Sequence, residues 1–260
     1  MVKVLVVFGS KSDEEVYKRV VRGLKSGNID VELRIASAHK TPDELNEIIN
    51  TDADLIIAGA GLSAALPGVI ASRTIKPVIG IPVSNNYQGL DALLSIMQMP
   101  PGVPVLGVGV NQAEMAVRNA IKLTRSYVEI NLVSETHNRA LEKAKSLLEE
   151  FDIKYRESES VEKDAVNIEF VSLDESVPEK DPLVIYCPVM DEGDIKAEAA
   201  LNVLRHTTHG LWVGLNNGVN AALAAIEILN SNGAYEKQLY EYRKKIKDKV
   251  ISSDEEVKNA

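Results

Sequence analysis

The chain has 260 residues, a net charge of −9 and one cysteine, with 45% hydrophobic and 26% charged residues. This composition is close to that of soluble globular proteins and excludes disordered, collagen-like and coiled-coil chains. No apolar stretch approaches the ~18 residues of a membrane span, and an acidic chain is a poor partner for nucleic acid, which is bound through Lys and Arg. The single Cys187 excludes an internal disulfide framework and fits the reducing cytoplasm. We therefore expect a cytoplasmic globular enzyme or small-molecule binder, with neither a membrane nor a nucleic acid as partner.

The first 125 residues alternate strand-like and helix-like segments. The apolar run Val2–Phe8 is too short for a signal peptide and predicts a strand buried on both faces. Residues 14–25 carry apolar side chains at the spacing of a helix face, and Thr41-Pro42 opens a second helix. Further strands are predicted at residues 31–35, 54–58, 77–83 and 104–110, and further helices at 63–72, 90–99 and 112–124. Strands separated by helices require crossover connections, so the sequence predicts an α/β three-layer sandwich with a mainly parallel, flavodoxin-like sheet.

The rest of the chain resembles a shortened copy of the first part. A shift of 124 residues aligns residues 134–156 with the first helix and second strand, whereas residues 184–189 align with the fourth strand at a shift of 106. The copy has therefore lost about a helix and its loops from its middle. We predict a duplicated fold with two domains, residues 1–124 and 125–260, the second ending in a charged helix over Tyr235–Val250 and a frayed terminus over Ser252–Ala260. A chance likeness between two strand–helix patterns is the alternative.

The segment Gly9-Ser10-Lys11-Ser12-Asp13 follows the first strand and opens the first helix. Ligands of parallel sheets sit at the carboxyl ends of the strands, and the free N–H groups of a helix N-terminus attract anions. The hydroxyls of Ser10 and Ser12 can donate to a phosphate, and Asp13 can accept from a ribose diol. Simple capping of the helix by Ser12 or Asp13 is the alternative.

The segment Ser37-Ala38-His39-Lys40-Thr41-Pro42 follows the second strand and brings an imidazole to the same edge of the sheet. Histidine is the side chain best suited to proton transfer near neutral pH. His39 is therefore a candidate acid–base residue, and a surface histidine before a helix is the alternative.

The segment Gly59-Ala60-Gly61-Leu62-Ser63-Ala64 follows the third strand with the spacing of a dinucleotide fingerprint. That fingerprint expects an acidic residue about 20 positions further on, where this chain has Ile79-Gly80-Ile81-Pro82-Val83. The sequence therefore disfavours an NAD oxidoreductase and favours a backbone that approaches some other ligand closely.

These motifs, followed by Gly-Leu-Asp-Ala-Leu-Leu-Ser-Ile-Met-Gln-Met-Pro-Pro-Gly-Val-Pro from Gly89, resemble the PurE family of purine biosynthesis over residues 2–123. The family is the catalytic subunit of phosphoribosylaminoimidazole carboxylase. The resemblance implies formation of 4-carboxy-5-aminoimidazole ribonucleotide (CAIR) from aminoimidazole ribonucleotide (AIR), with no metal and no organic cofactor. One branch of the family uses CO2 directly, whereas the other is a mutase that moves a carboxyl group from N5 of N5-CAIR to C4.

The resemblance also assigns roles to individual residues. His39 is the expected catalytic residue, which moves a proton at the ring carbon. The remaining residues are expected to bind the substrate. The ribose phosphate is expected at Ser10, Ser12, Asp13 and Lys40, the base and CO2 at Gly59, Ala60, Gly61, Ser63 and Leu66, and Gly9, Ser37 and Ala38 complete the set.

One departure from the family pattern bears on the source of the carboxyl group. Mutases of the family usually carry a second histidine in the glycine-rich loop, where this chain has Ala65. A small residue there, with Ser63 and Lys40, is similar to members that use CO2 directly, although Gln98-Met99-Pro100 is similar to mutases. We expect direct use of CO2, with an N5-CAIR mutase as the alternative and a non-catalytic nucleotide-binding relative as a third reading.

The resemblance has a further implication for assembly. The family is similar to octamers of single domains, so two repeats per chain imply a homo-oligomer of four chains. The second repeat lacks any Ser-Ala-His segment, and we expect it to be catalytically inactive.

Overall fold

The computed structural model describes residues 2–85, 87–174, 176–190 and 196–259. The strands and helices follow in chain order. The strands are β1 (Lys3–Phe8), β2 (Asp30–Ile35), β3 (Leu55–Ala60), β4 (Val78–Pro82), β5 (Leu106–Gly107), β6 (Ile130–Ser134), β7 (Tyr155–Ser158), β8 (Val166–Ser172), β9 (Val184–Val189) and β10 (Leu211–Trp212). The helices are α1 (Glu14–Ser26), α2 (Pro42–Ile49), α3 (Leu66–Ala71), α4 (Leu90–Met97), α5 (Ala113–Leu123), α6 (Arg139–Glu150), α7 (Lys196–His206), α8 (Gly218–Leu229) and α9 (Glu236–Lys258).

The ten strands form one sheet in the order β2-β1-β3-β4-β5-β10-β9-β8-β6-β7. Neighbouring strands are parallel except at the centre, where Gly107 of β5 pairs antiparallel with Trp212 of β10. The second five strands therefore repeat the order of the first five about this central pair. The carboxyl ends of β1–β4 and those of β6–β9 consequently lie at opposite edges of the sheet. This mirrored order is what a duplication predicts, and the domain boundaries at residues 124 and 125 stay a prediction.

Helices cover both faces of the sheet, which confirms the predicted α/β class. The largest buried cluster joins one face of the sheet to α1, α5, α6 and α8 across both halves. On the other face, α2, α3 and α4 pack against the first half, and Val203 of α7 packs beside Trp212 in the second. Within the described ranges, no helix is long and apolar enough to cross a membrane.

Two predicted elements of the first half are shorter in the structure. The strand predicted over residues 104–110 is reduced to β5, because the backbone after β5 packs closely against the backbone of the second half. A β-carbon on Gly109 would lie 2.0 Å from the carbonyl oxygen of Thr207. The helix predicted over residues 63–72 is reduced to α3, because Ser63 adopts a left-handed conformation with φ of 47° that no helix tolerates.

The second half departs further from the prediction. Residues 159–165 join β7 to β8 without a helix, and the described residues between β8 and β9 contain none either. The described part of the copy therefore lacks counterparts of both α2 and α3, whereas the sequence predicts the loss of about one helix. The predicted frayed terminus from Ser252 is also wrong, since α9 continues to Lys258.

Candidate active site

A cavity of about 430 Å³ opens at the carboxyl ends of β1–β4. Each of the four strands contributes the loop that follows it, as the parallel topology requires. All predicted site residues except Gly59 line this cavity. The lining consists of Gly9, Ser10, Ser12, Asp13, Ser37, Ala38, His39, Lys40, Ala60, Gly61, Leu62, Ser63, Ala65, Leu66 and Asn85.

The loop after β1 presents hydroxyl groups at the start of a helix. The N–H of Gly9 donates to the carbonyl of Gly59 at 3.0 Å, which joins this loop to β3. The Ser10 side chain accepts from the N–H of Ser12 at 3.2 Å and from the Ser12 hydroxyl at 2.8 Å. The Ser12 hydroxyl also lies 3.2 Å from Oδ1 of Asp13. Ser10 therefore caps a single 3-10 turn over Lys11–Asp13. The alternative of capping by Ser12 or Asp13 is wrong, because Asp13 at the N-cap of α1 makes no side-chain cap hydrogen bond and Ser12 stays exposed to the cavity.

The Asp13 carboxyl group is half-buried at the edge of this cavity. Burial raises its pKa above the ordinary value, and the Ser12 hydroxyl lowers it by a smaller amount. A carboxyl that loses water in this way is stabilised by hydroxyl donors, because each donor replaces part of its lost hydration. Asp13 can therefore accept hydrogen bonds from hydroxyl groups at this edge of the cavity.

The loop after β2 holds His39 on a tight turn. The Thr41 hydroxyl accepts from the N–H of Ser37 at 2.9 Å, and the Ser37 carbonyl accepts from the N–H of Thr41 at 3.0 Å. The Ser37 hydroxyl also accepts from the N–H of Lys40 at 3.3 Å. This network fixes the backbone on both sides of His39. Its imidazole is exposed and has no hydrogen-bond partner among the described residues, so both ring nitrogens are available to a ligand.

The loop after β3 forms the wall of the cavity with little side-chain bulk. Gly61 faces the carbonyl of Val83, 3.4 Å from where a β-carbon would lie. Ser63 is exposed and left-handed, a conformation that non-glycine residues adopt at a cost of about 1–3 kcal/mol and that is frequent at functional sites. Ala65 lies in this wall without a polar side chain.

Gly59 is buried in β3 and lies outside the lining. A β-carbon on it would meet the ring of Phe8 at 2.2 Å, so the glycine serves the packing of the sheet. Sequence reasoning missed Leu62 and Asn85 as lining residues. Asn85 follows the carboxyl end of β4, and this position alone was the signal that could have identified it.

The comparisons with known proteins agree with this geometry. Residues 3–143, more than half of the chain, match the model of the family described as AIR carboxylase. The chain belongs to the AIR carboxylase family. The predicted resemblance to PurE is thereby confirmed, and the chain is an enzyme of purine biosynthesis.

Three members of the family illustrate the similarity. A Methanocaldococcus jannaschii protein named N5-carboxyaminoimidazole ribonucleotide mutase is 48% identical over 121 residues, which cover 46% of this chain and 77% of that protein. A Pyrococcus abyssi protein of the same name is 46% identical over 136 residues, covering 50% of this chain and 78% of that protein. The crystal structure of Treponema denticola PurE matches 48% of this chain and 83% of its own, with 29% identity and a TM-score of 0.42.

The second half of this AIR carboxylase family member has a cavity of its own, of about 450 Å³. It lies at the carboxyl ends of β6, β8 and β9, the positions that correspond to the first cavity under the mirrored strand order. Its charged lining is mostly acidic. The charged and titratable residues there are Glu135, His137, Glu159, Glu169, Asp174 and Lys180. Lys180 is paired with Glu169 at 2.5 Å, so this cavity is a poor site for a phosphate.

Proposed function

We propose that this chain forms CAIR as an N5-CAIR mutase, moving the carboxyl group of N5-CAIR from N5 to C4. The observation that carries the proposal is the meeting of His39, the hydroxyl-bearing loop after β1 and the glycine-rich loop in one cavity. The names of relatives at 46–48% identity support the mutase over the direct use of CO2 that the sequence led us to expect.

In the proposed complex, the ribose phosphate binds between the loops after β1 and β2. Ser10 and Ser12 donate hydroxyl hydrogens to the phosphate, and the exposed ammonium group of Lys40 supplies the positive charge. Asp13 accepts from the ribose diol. This arrangement leaves the base against Ala60 and Gly61, where the absence of bulky side chains lets backbone amides approach the ring.

Chemistry in this complex is a relay of one proton through His39. Protonated His39 gives its proton to N5 as the carbamate C–N bond breaks and CO2 is released inside the cavity. The electron-rich C4 then attacks CO2, which leaves C4 tetrahedral with both a hydrogen and a carboxylate. Neutral His39 removes that hydrogen as a proton, the C–H electron pair restores the aromatic ring, and the imidazole returns to its starting state. Acid–base catalysis of this kind contributes typically 10²–10⁴-fold.

Direct carboxylation of AIR by CO2 is the second candidate. Ala65 favours it, because this position lacks the second histidine usual in the family's mutases. The later steps are the same in both reactions, since CO2 attacks from the same cavity and His39 removes the same proton.

One experiment tests both candidates. Purified protein is given N5-CAIR in one arm and AIR with bicarbonate in the other, without ATP or another enzyme, and CAIR is followed by its ultraviolet absorbance. Fast conversion of N5-CAIR with slow use of AIR is the expected result. Rapid, CO2-saturable use of AIR with inert N5-CAIR overturns the mutase in favour of the carboxylase. Failure to form CAIR in either arm, with nucleotide still bound, would indicate a binding protein.

We also propose that four chains assemble, so that eight PurE-like units form one particle. The support is the mirrored order of the two strand sets within one sheet. Light scattering should then give a mass about four times the 28.4 kDa of one chain. A stable monomer would contradict this assembly without affecting the proposed reaction.

A further inference from the structure

Asn85 lines the active-site cavity at the carboxyl end of β4, a position to which the proposed function assigns no role. Its side chain lies beside the glycine-rich loop. A β-carbon placed on Gly61 would be 3.7 Å from Nδ2 of Asn85 and 3.8 Å from its Cβ. The carboxamide therefore closes the side of the cavity opposite His39, because the strand order β2-β1-β3-β4 separates the two residues by two strands.

The backbone before Asn85 is firmly held. The N–H of Val83 donates to the carbonyl of Ala60 at 2.9 Å, which continues the pairing of β3 with β4. The N–H of Ser84 donates to Oδ1 of Asn111 at 2.9 Å, and the N–H of Asn111 donates back to the carbonyl of Pro82 at 2.8 Å. These three hydrogen bonds fix the backbone that precedes Asn85, and they thereby fix the point from which its side chain extends.

The carboxamide of Asn85 is a free hydrogen-bonding group on this wall. Within the described residues it has no hydrogen-bond partner, and a carboxamide offers two donor hydrogens and one acceptor oxygen. The neighbouring wall residues Ala60, Gly61, Leu62, Ala65 and Leu66 carry no side-chain donor. Among the described lining residues, Ser63 and Asn85 are thus the two side-chain donors on the β3–β4 side of the cavity.

The proposed reaction places an anion on this side. In the tetrahedral intermediate, C4 bears both the hydrogen that His39 removes and the new carboxylate, and these two bonds diverge. A hydrogen directed toward the β2 loop therefore directs the carboxylate toward the β3–β4 wall. The phosphate does not compete for this wall, because its proposed ligands Ser10, Ser12 and Lys40 come from β1 and β2.

We propose that Asn85 is a specificity-determining residue that donates a hydrogen bond from its carboxamide to the carboxylate of the intermediate and of CAIR. The inference rests on the proposed function and deepens it, since it assigns a ligand to the group that the reaction moves. Asn85 thereby supplies a polar contact in a wall where Ala65 supplies none.

The test compares two ligands that differ only in the carboxylate. Binding of AIR and of CAIR is measured by calorimetry for the wild-type protein and for Asn85→Ala, Asn85→Asp and Ser84→Ala. Ser84 is the matched control, because it is the exposed neighbour and does not line the cavity. Asn85→Ala should weaken CAIR about tenfold and leave AIR within twofold, as expected for loss of a hydrogen bond to a charged group. Asn85→Asp should weaken CAIR further by charge repulsion, and Ser84→Ala should change neither.

Other outcomes overturn the inference in distinguishable ways. Equal weakening of AIR and CAIR by Asn85→Ala would mean that the residue contacts the ribose, the phosphate or the ring. Unchanged binding of both ligands would mean that Asn85 only packs on Gly61. In either case the proposed function stands as long as the wild-type protein forms CAIR. A wild-type protein that forms no CAIR would instead contradict the proposed function itself.

Discussion

The two halves of the sheet share one hydrogen-bond arrangement, which we call the asparagine joint, but differ in the loop residues that line their cavities. Asn111 in the first half and Asn216 in the second both adopt left-handed conformations, with φ of 58° and 55°. The N–H of each donates at 2.8 Å to a proline carbonyl at its neighbouring strand. Each Oδ1 then accepts from the N–H of the residue that leaves that strand, Ser84 at 2.9 Å and Met190 at 3.1 Å. The asparagine joint, which links two neighbouring loops through backbone groups, is therefore present in both halves.

The loops at the strand ends show the opposite behaviour. The first half has Ser10-Lys11-Ser12-Asp13 after its first strand, and the second has Ser134-Glu135-Thr136-His137 at the same place. The hydroxyl positions are kept, but the charges are changed, and Glu159, Glu169 and Asp174 add acid to the second cavity. Hence the fold persists in both halves, while the proposed phosphate site is confined to the first.

The contact between the halves around Asn220, which we call the seam, is also unequal, because only one half contributes side-chain hydrogen bonds to it. Asn220 of α8 is buried, and its Oδ1 accepts from the N–H of Gly102 at 2.8 Å. Its Nδ2 donates to the carbonyl of Pro100 at 3.0 Å. At the corresponding position of α5 the first half has Met115, which cannot make such bonds. The second half therefore holds the turn after α4 of the first half through Asn220. The side chain of Met115 gives the second half no equivalent hydrogen bonds in return.

The largest expected effect separates the two cavities. His39→Asn should lower CAIR formation about 10³-fold, because the variant has no group to carry the proton, while CAIR binding stays within a few-fold. His137→Asn is the matched control in the second cavity and should leave turnover unchanged. Steady-state kinetics with calorimetry checks both variants, and a His39→Asn enzyme within tenfold of the wild type would contradict the assignment.

A pH effect should distinguish the buried Glu227 of α8 from the half-buried Lys122 of α5. Burial raises the pKa of Glu227 to about 8 despite Arg243 at 3.0 Å, whereas burial lowers the pKa of Lys122 at the matching position of α5. Between pH 4.5 and 8 the unfolded carboxyl releases its proton and the folded one keeps it, so this group makes the protein less stable as pH rises.

Glu227→Gln should remove that decline. Its free energy of unfolding relative to the wild type should rise between pH 5 and pH 8 by on the order of 2–4 kcal/mol. Urea unfolding at the two pH values measures the difference. Glu256→Gln, at an exposed position on α9, is the control and should follow the wild type, and parallel curves for Glu227→Gln and wild type would exclude the raised pKa.

A smaller effect is expected at the seam. Asn220→Ala leaves the N–H of the buried Gly102 and the carbonyl of Pro100 without their partner, so it should lower the free energy of unfolding by roughly 2 kcal/mol. Met115→Leu preserves volume at the mirrored position and should cost less than about 1.5 kcal/mol. Chemical denaturation compares the two variants, and equal losses would show that the seam is held by packing alone.

The smallest effect on stability should come from substitutions in the asparagine joint. Glycine accepts the left-handed conformation without strain, so Asn111→Gly and Asn216→Gly remove only the side-chain bond. Each should cost roughly 1 kcal/mol of stability. Only Asn111→Gly should also raise the KM for nucleotide, by about threefold, because only Ser84 leads to the active cavity. A similar rise in KM for Asn216→Gly would contradict the conclusion that only the first half holds the active site.

Local pattern was sufficient to predict most of the first half and its cavity. Alternating strands and helices allow only a parallel sheet, and parallel strands bring their carboxyl ends to one edge, so the loops at Ser10, His39 and Gly61 had to meet. Gly59 was predicted to bind substrate but lies outside the cavity lining, because its spacing in the glycine-rich segment does not reveal that a β-carbon there would meet the ring of Phe8. Asn85 was missed because no motif marks it.

The sequence by itself determined the βα order, the duplication pattern and the residues at the strand ends, since these follow from hydrophobic periodicity and the geometry of parallel strands. Tertiary structure alone decided that the two halves join through one antiparallel pair, Gly107 with Trp212. It also decided that Asn220 spans the seam and that Asn85 closes the cavity over Gly61. These contacts join segments distant in the chain, and their energies depend on which strands become neighbours, which no local pattern encodes.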